Sequence, residues 1–214
     1  MKCCVIGLGR FGYQVAITLA ANGAEVMAVD SNEEIIASIR DQVTHAICMH
    51  ITDEASLRSI GVDEMDVAVV AIGEGLAESI TIAVFLKKGL KVPRVIARAV
   101  SDIHKDILKL VGADRVVSPE KEIAVRVAEG ISAGFTDLVR VSKEFSIIQL
   151  TAPKYFVGKT VSALKFFTDY NVHCIGIKDA KDVISAIDPE HVIKASDKLI
   201  FAGKTADLQE IAKL

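Results

Sequence analysis

Residues 7–12 read Gly7-Leu8-Gly9-Arg10-Phe11-Gly12, set between the apolar run Cys3–Ile6 and an amphipathic stretch over Phe11–Ala21. No other feature constrains the fold as strongly as this G-x-G-x-x-G spacing in a strand–turn–helix context. The first glycine permits a tight turn. The second lets backbone approach a pyrophosphate, and the third lets the helix pack closely on the strand. The helix start then offers unpaired N–H groups and the positive end of its dipole to phosphate. A second strand, Glu25–Val29, is followed by Asp30, and 30 − 12 = 18 residues separate that carboxylate from the third glycine. The acid that meets ribose hydroxyls lies ~20 residues on in such folds. A carboxylate there also repels a 2′-phosphate, which disfavours NADP. Two plainer readings stay open: glycines that serve only turns, and an Asp30 that only caps a helix starting near Asn32.

The first two-thirds of the chain repeats the same alternation. Short apolar runs at Cys3–Ile6, Glu25–Val29, His45–Met49, Val67–Ile72, Arg94–Ala99 and Arg115–Val117 read as strands. Amphipathic stretches at Phe11–Ala21, Glu33–Arg40, Glu54–Ile60, Glu78–Lys88 and Ile103–Val111 read as helices. Repeated βα units imply an α/β, Rossmann-like, doubly wound parallel sheet with right-handed crossovers. Gly23, Gly61, Gly89 and Gly112 fall where those helices should stop. Hydrophobic residues make up 51% and aromatics only 5%, with no Trp, and mean hydropathy is +0.39. Such an aliphatic excess suits strands buried on both faces and contacts between subunits.

Ser118-Pro119-Glu120-Lys121-Glu122 is a strong helix start, with a capping serine, a first-turn proline and acids at the positive end. Ile123, Val127 and Ile131 follow as an apolar stripe, either a core edge or a subunit contact. The pattern changes over Phe135–Val141. A small α+β unit of about 70 residues follows, with strands at Phe145–Thr151, Val172–Ile177, Val183–Ile187 and Leu199–Ala202. Helical stretches cover Thr160–Asp169 and Thr205–Lys213, and a hairpin turn falls at Ala180-Lys181-Asp182. Two domains are therefore expected, 1–141 and 142–214.

Composition excludes several functions. Lys plus Arg is 25 and Asp plus Glu is 28, so the net charge is 25 − 28 = −3. That balance argues against nucleic acid, whose binders carry a basic excess. No apolar run approaches the ~18 residues of a membrane helix, and the N-terminus leaves no room for a signal peptide before its glycines. A cytoplasmic protein is expected. Cys3, Cys4, Cys48 and Cys174 lie in apolar runs without metal-ligand spacing, which reads as small buried thiols. His173 reads as a packed core residue. That leaves a dehydrogenase without an evident acid/base group, so no catalytic residue is assigned and no enzyme activity is expected.

Open α/β sheets bind ligands at the carboxyl ends of their strands, which places the candidate residues. The glycine loop contributes Gly7, Gly9, Arg10, Phe11 and Gly12. Asp30, Ser31 and Asn32 follow the second strand, and His50, Ile51 and Asp53 the third. Ala71, Ile72 and Gly73 follow the fourth, Arg98 ends the fifth, and Glu120 lies beyond the sixth. Arg10 would sit beside phosphates or reach a terminal phosphate or a neighbouring subunit's ligand; the alternative is a solvated side chain. Glu120 repels phosphate unless a divalent cation lies between them, or it simply favours the first turn of its helix.

The segments GLGRFG, VMAVDSNEE, THAICMHITDE, VAVVAIGEG and GADRVVSPEKEIAVRVA, in that order, resemble the RCK (regulator of potassium conductance) family. The likeness is to its KtrA/TrkA-type cytosolic subunits, and the last unit resembles the RCK-C (TrkA-C) domain. The resemblance implies a nucleotide-sensing regulatory subunit. Homodimers would assemble into an octameric gating ring under a membrane potassium channel or transporter of the KtrB/TrkH kind. It implies ATP, ADP or NAD(H) as ligand, and Arg10, which a terminal phosphate would engage, favours ATP or ADP with NAD(H) the runner-up. Arg10 would approach the terminal phosphate, and Asp30 and Arg98 match nucleotide contacts. Glu120 would approach the nucleotide across the dimer and hold Mg2+ or Ca2+. Phe167 stands where relatives that bind cyclic di-AMP have arginine, and His50 stands where Asn is common. The competing readings are an NAD-dependent oxidoreductase and a nucleotide-binding regulator of another transporter.

Overall fold

The computed structural model describes residues 1–142, 144–181 and 183–214. The chain divides into two compact units, Met1–Pro119 and Glu120–Leu214.

The first unit alternates strands and helices in chain order: β1 (Lys2–Ile6), α1 (Arg10–Ala21), β2 (Glu25–Asp30), α2 (Glu33–Ile39), β3 (His45–Cys48) and α3 (Glu54–Ser59). β4 (Val67–Val70), α4 (Leu76–Val84), β5 (Arg94–Arg98), α5 (Asp102–Leu110) and β6 (Arg115–Val117) complete it. The six strands are all parallel and ordered β3-β2-β1-β4-β5-β6. Cys3 pairs with Val26 on one side and Val67 on the other, so β1 is central. Alternate residues of each strand enter opposite cores. Cys4, Ile6, Met27 and Val29 pack with Leu57, Ile82, Leu86 and Leu108 on one face. Val5, Val26, Ala28 and Val69 pack with Ala16, Ile36 and Ile39 on the other. Burial on both faces is why the strands carry unbroken aliphatic runs rather than alternation.

The end of α4 departs from the expected pattern. A wider helical turn over Phe85–Gly89 closes the helix, and the positive φ falls on Lys91, at 56°, not on Gly89. A Cβ on Gly89 would meet the Glu54 carboxylate, the far end of a side chain that can swing aside. Gly23, Gly61 and Gly112 do take positive φ, as expected of helix stops.

The second unit opens with α6 (Pro119–Ala133), whose first residue ends the first unit. It continues with β7 (Asp137–Arg140), β8 (Phe145–Thr151), α7 (Phe166–Tyr170), β9 (Val172–Lys178), β10 (Ile184–Ser185), β11 (Lys198–Lys204) and α8 (Thr205–Ile211). Its antiparallel sheet is ordered β10-β9-β11-β8-β7. The compact units thus divide upstream of the expected boundary at 141/142. Residues 137–140, where the sequence pattern changes, form a strand paired antiparallel to β8. Ion pairs from Arg126 to Asp137 and from Arg140 to Glu129 bind α6 to that strand. The expected helix at Thr160–Asp169 is split, because Lys165 adopts a φ of 42°. Asp182, expected in a hairpin turn, lies outside the described residues. Phe156, Phe166 and Phe201 meet edge to face at 4.9–5.3 Å and centre the core.

Two expectations about single residues fail. His173 is exposed on β9 and stacks on Phe167 at 4.7 Å, rather than packing in a core. Cys48 is exposed at the end of β3, whereas Cys3 and Cys4 are buried. Cys48 is the last residue of β3, the edge strand of the sheet. Burial pushes the Cys4 thiol up to about 12.

Candidate functional site

The carboxyl end of β1, the central strand, turns sharply at Gly7, whose φ is 86°. A Cβ there would stand 2.9 Å from Ile72 Cγ1, so glycine is required by space as well as by backbone. A Cβ on Gly12 would collide with the Gly7 carbonyl oxygen and stand 2.9 Å from Ala71 Cβ, which identifies Gly12 as the close helix–strand contact. A Cβ on Gly9 meets nothing, so the surface above it is open. Gly9 is also the N-cap of α1; no side chain caps that helix and no acid occupies its first turn. By contrast α2, α3 and α5 are capped by Asn32, Asp53 and Ser101. The α1 N-terminus therefore presents its positive dipole end to the opening.

Asp30 ties this loop to β2. One carboxylate oxygen accepts the Leu8 N–H at 2.6 Å and the other accepts the Asn32 N–H at 2.9 Å. A carboxylate has about four lone-pair sites, so two remain for a ligand. Asn32 then caps α2 from its own side chain. Cys48 is the register partner of Asp30, and its Sγ lies 3.6 Å from the Ser31 carbonyl oxygen.

The fourth and fifth strands bring a cation to the same place. Arg98 leaves the end of β5 and lies beside Gly73, where a Cβ would stand 2.7 Å from Nη1. Its guanidinium carbon stands 6.0 Å from the centroid of Phe11, inside the glycine loop. Residues from the glycine loop, β4 and β5 thus converge at one crevice, next to the β1–β4 switch in strand order. Arg10 is exposed and has no ionic or hydrogen-bonded side-chain partner among the described residues.

A cavity of about 410 Å³ adjoins the β3–α3 loop, lined by His50, Ile51 and Thr52 with Ala77, Glu78, Thr81 and Ile82 of α4. The α4 residues were not anticipated. Their signal was present in the polar Glu78 and Thr81, three apart on one helix face. Asp53 is engaged locally instead. Its carboxylate caps α3 by accepting the Ser56 hydroxyl at 2.6 Å and the Ser56 N–H at 2.8 Å, and the hydroxyl bond holds its pKa below the usual value.

Residues 3–119 match the TrkA-N domain and residues 145–214 the TrkA-C domain. The chain is 34% identical over 210 residues to Ktr system potassium uptake protein C of Bacillus subtilis (strain 168), covering 98% of this chain and 95% of the relative. The chain belongs to the TrkA-domain family of potassium uptake proteins. Ktr system potassium uptake protein A of the same organism is 33% identical over 206 residues, covering 96% of this chain and 92% of the relative. Among solved structures, the GsuK channel bound to NAD superposes with a TM-score of 0.56 at 21% identity, over 99% of this chain and 38% of that one. This likeness is one of fold, and the chain spans about two-fifths of that channel's length.

Within the TrkA-N unit the crevice gathers Gly7, Gly9, Phe11, Gly12, Asp30, Gly73 and Arg98. Ala71 and Ile72 lie against Gly12 and Gly7 of the loop, whereas His50 and Ile51 line the separate cavity beside α4. Glu120 begins the second unit, exposed in the first turn of α6. Among the described residues no cluster of three or more His, Cys, Asp or Glu stands ready for a metal. Among the described residues no helix is long and apolar enough to cross a membrane.

Proposed function

We propose that this chain is a nucleotide-sensing regulatory subunit of the gating-ring type, controlling potassium transport through a membrane channel or transporter. The observation that carries the reading is the uncapped α1 N-terminus, opened by Gly9 and flanked by Asp30 and Arg98, in a chain that aligns end to end with Ktr potassium uptake proteins. The α1 N–H groups would take a phosphate. Asp30 would take ribose hydroxyls on its remaining lone pairs, and Arg98 would meet phosphate from across the crevice. Arg10 would reach a terminal phosphate bidentately. On this reading ATP or ADP is the ligand. NAD(H) is the second reading, since Asp30 serves either ribose and the GsuK structure contains NAD. Glu120 would approach the nucleotide across the dimer and hold Mg2+ or Ca2+ there, and the cation would neutralise its repulsion from phosphate. The chain would act as a cytoplasmic homo-oligomer, a dimer assembling into a ring at the inner membrane face. Its role is regulatory rather than enzymatic, which rests on the relatives being potassium uptake proteins.

Calorimetry with ATP, ADP, NADH and NADPH tests this. ATP and ADP should bind and NADPH should bind least. Arg10→Ala should narrow the gap between ATP and ADP while largely sparing ADP. Mg2+ or Ca2+ should tighten ATP binding, and Glu120→Gln should remove that dependence. No nucleotide binding would overturn the reading; equal ATP and ADP affinity without a cation effect would turn it toward NAD(H).

A further inference from the structure

His104 is fully buried at 0% exposure, in the first turn of α5. Ser101 caps that helix: its Oγ accepts the His104 N–H at 3.2 Å. The His104 side chain reaches back one residue beyond the cap, its Nδ1 accepting the Val100 N–H at 3.3 Å. This is a variant of the reciprocal capping box, in which the third helical residue is ordinarily Glu or Gln. Those side chains accept hydrogen bonds throughout the neutral range. Imidazole does so only while its Nδ1 is unprotonated, with its proton on Nε2. Nε2 is buried and has no hydrogen-bond partner among the described residues.

The turn held this way carries Arg98. β5 ends at Arg98, Ala99 donates its N–H to the Val117 carbonyl oxygen at 2.8 Å, and Val100 donates to His104. We infer that His104 is a positioning residue for nucleotide binding, fixing the β5–α5 turn that aims Arg98 into the crevice and releasing it when protonated. The inference rests on the nucleotide reading above. A protonated imidazole would set an Nδ1–H against the Val100 N–H and place a charge in an apolar core. The turn must open to relieve both. Because the ligand meets Arg98 in the closed turn only, protonation and binding oppose each other.

Burial is the single cause holding the His104 pKa below its ordinary value. The charged groups on α4 and β6, the elements packed against α5, are Glu78 and Arg115; α5 itself carries Asp102, Lys105, Asp106 and Lys109, and Arg98 ends the strand before the turn. None of them adds to the shift.

The test is ADP affinity of wild type and His104→Gln at about pH 7.5 and pH 5.5, a window that spans imidazole titration. Glutamine keeps an acceptor and cannot titrate, while the titration of ADP is common to both proteins. Wild type should lose at least about fivefold more affinity on acidification than the variant, within the usual range of site–site coupling. In an Arg98→Ala background that difference should vanish. Equal losses in the two proteins, or a difference that survives Arg98→Ala, would overturn the inference while leaving the nucleotide site standing. If wild type binds no ADP at the higher pH, the nucleotide reading fails and takes this inference with it. Should His104→Gln not fold, NMR of the wild-type imidazole replaces it. By reciprocity ADP must lower the His104 titration midpoint, and an unmoved midpoint overturns the proposal.

Discussion

Asp30 does two jobs with one carboxylate, and its variants separate them. Its bond to the Leu8 N–H holds the glycine loop against β2, so losing it orphans a part-buried donor. Asp30→Ala should weaken ATP and NADH alike by about 1–3 kcal/mol and also lower the melting temperature. Asp30→Asn keeps an acceptor and should recover more stability than affinity. Calorimetry beside thermal melting makes the comparison, and unchanged affinity for both nucleotides would end the ribose assignment. Gly73 offers a cleaner probe of Arg98. Gly73 is exposed and its φ is not positive, so alanine suits its backbone, yet the new Cβ would stand 2.7 Å from Nη1. The guanidinium must shift, at a rotamer cost of about 0.5–1.5 kcal/mol. Gly73→Ala should therefore weaken nucleotide binding by that amount with the melting temperature unchanged. Unchanged affinity would mean that Arg98 does not need this position.

At the scale of elements, α5 sets an acid limit on stability. The His104 pKa lies below its ordinary 6.5 because of burial. Between the lowered value and 6.5 the unfolded chain binds more protons than the folded one, so stability rises with pH there. The contribution is fully present above 6.5 and is lost as pH falls through the folded value. Thermal melting from about pH 8 down to pH 5 should show a steeper acid fall in wild type than in His104→Gln; parallel curves would refute it. This capping arrangement was not legible in the sequence, since Ser101 and His104 match no standard box. What was legible is local. The glycine loop, Asp30 and all six parallel strands could be read because each is coded by contiguous periodicity or a short spacing. Non-local pairing hid the rest. Residues 137–140 become a strand only through β8. His173 comes to the surface because β9 alternates with its other face on the core. The approach of the Glu54 carboxylate to Gly89 joins residues distant in sequence. Arg98 was marked by its strand end, but neither its contact with Phe11 nor its dependence on Gly73 could be read from spacing.

At the scale of the whole molecule, the unresolved alternative from the sequence was whether Ile123, Val127 and Ile131 edge a core or meet another subunit. Within this chain they are 56%, 53% and 80% exposed. Spacing of i, i+4 and i+8 keeps them on one face of α6, and Val125 nearby is 46% exposed. Soluble monomers seldom leave a contiguous apolar strip on a helix. A charged substitution on a solvated helix face is nearly neutral, within about 0.5 kcal/mol; the same substitution in a buried subunit contact leaves an unpaired charge out of water and is far costlier. The paired substitution Val127→Asp with Ile131→Asp therefore discriminates. Wild type should run as a dimer or larger ring in light scattering at micromolar concentration, with or without nucleotide. The double variant should shift to monomer, and its melting temperature should become independent of protein concentration, as mass action requires once association is lost. A monomeric wild type would refute the assembly. A variant with unchanged mass and unchanged melting would show instead that α6 turns this face to water and that any ring is built from another surface.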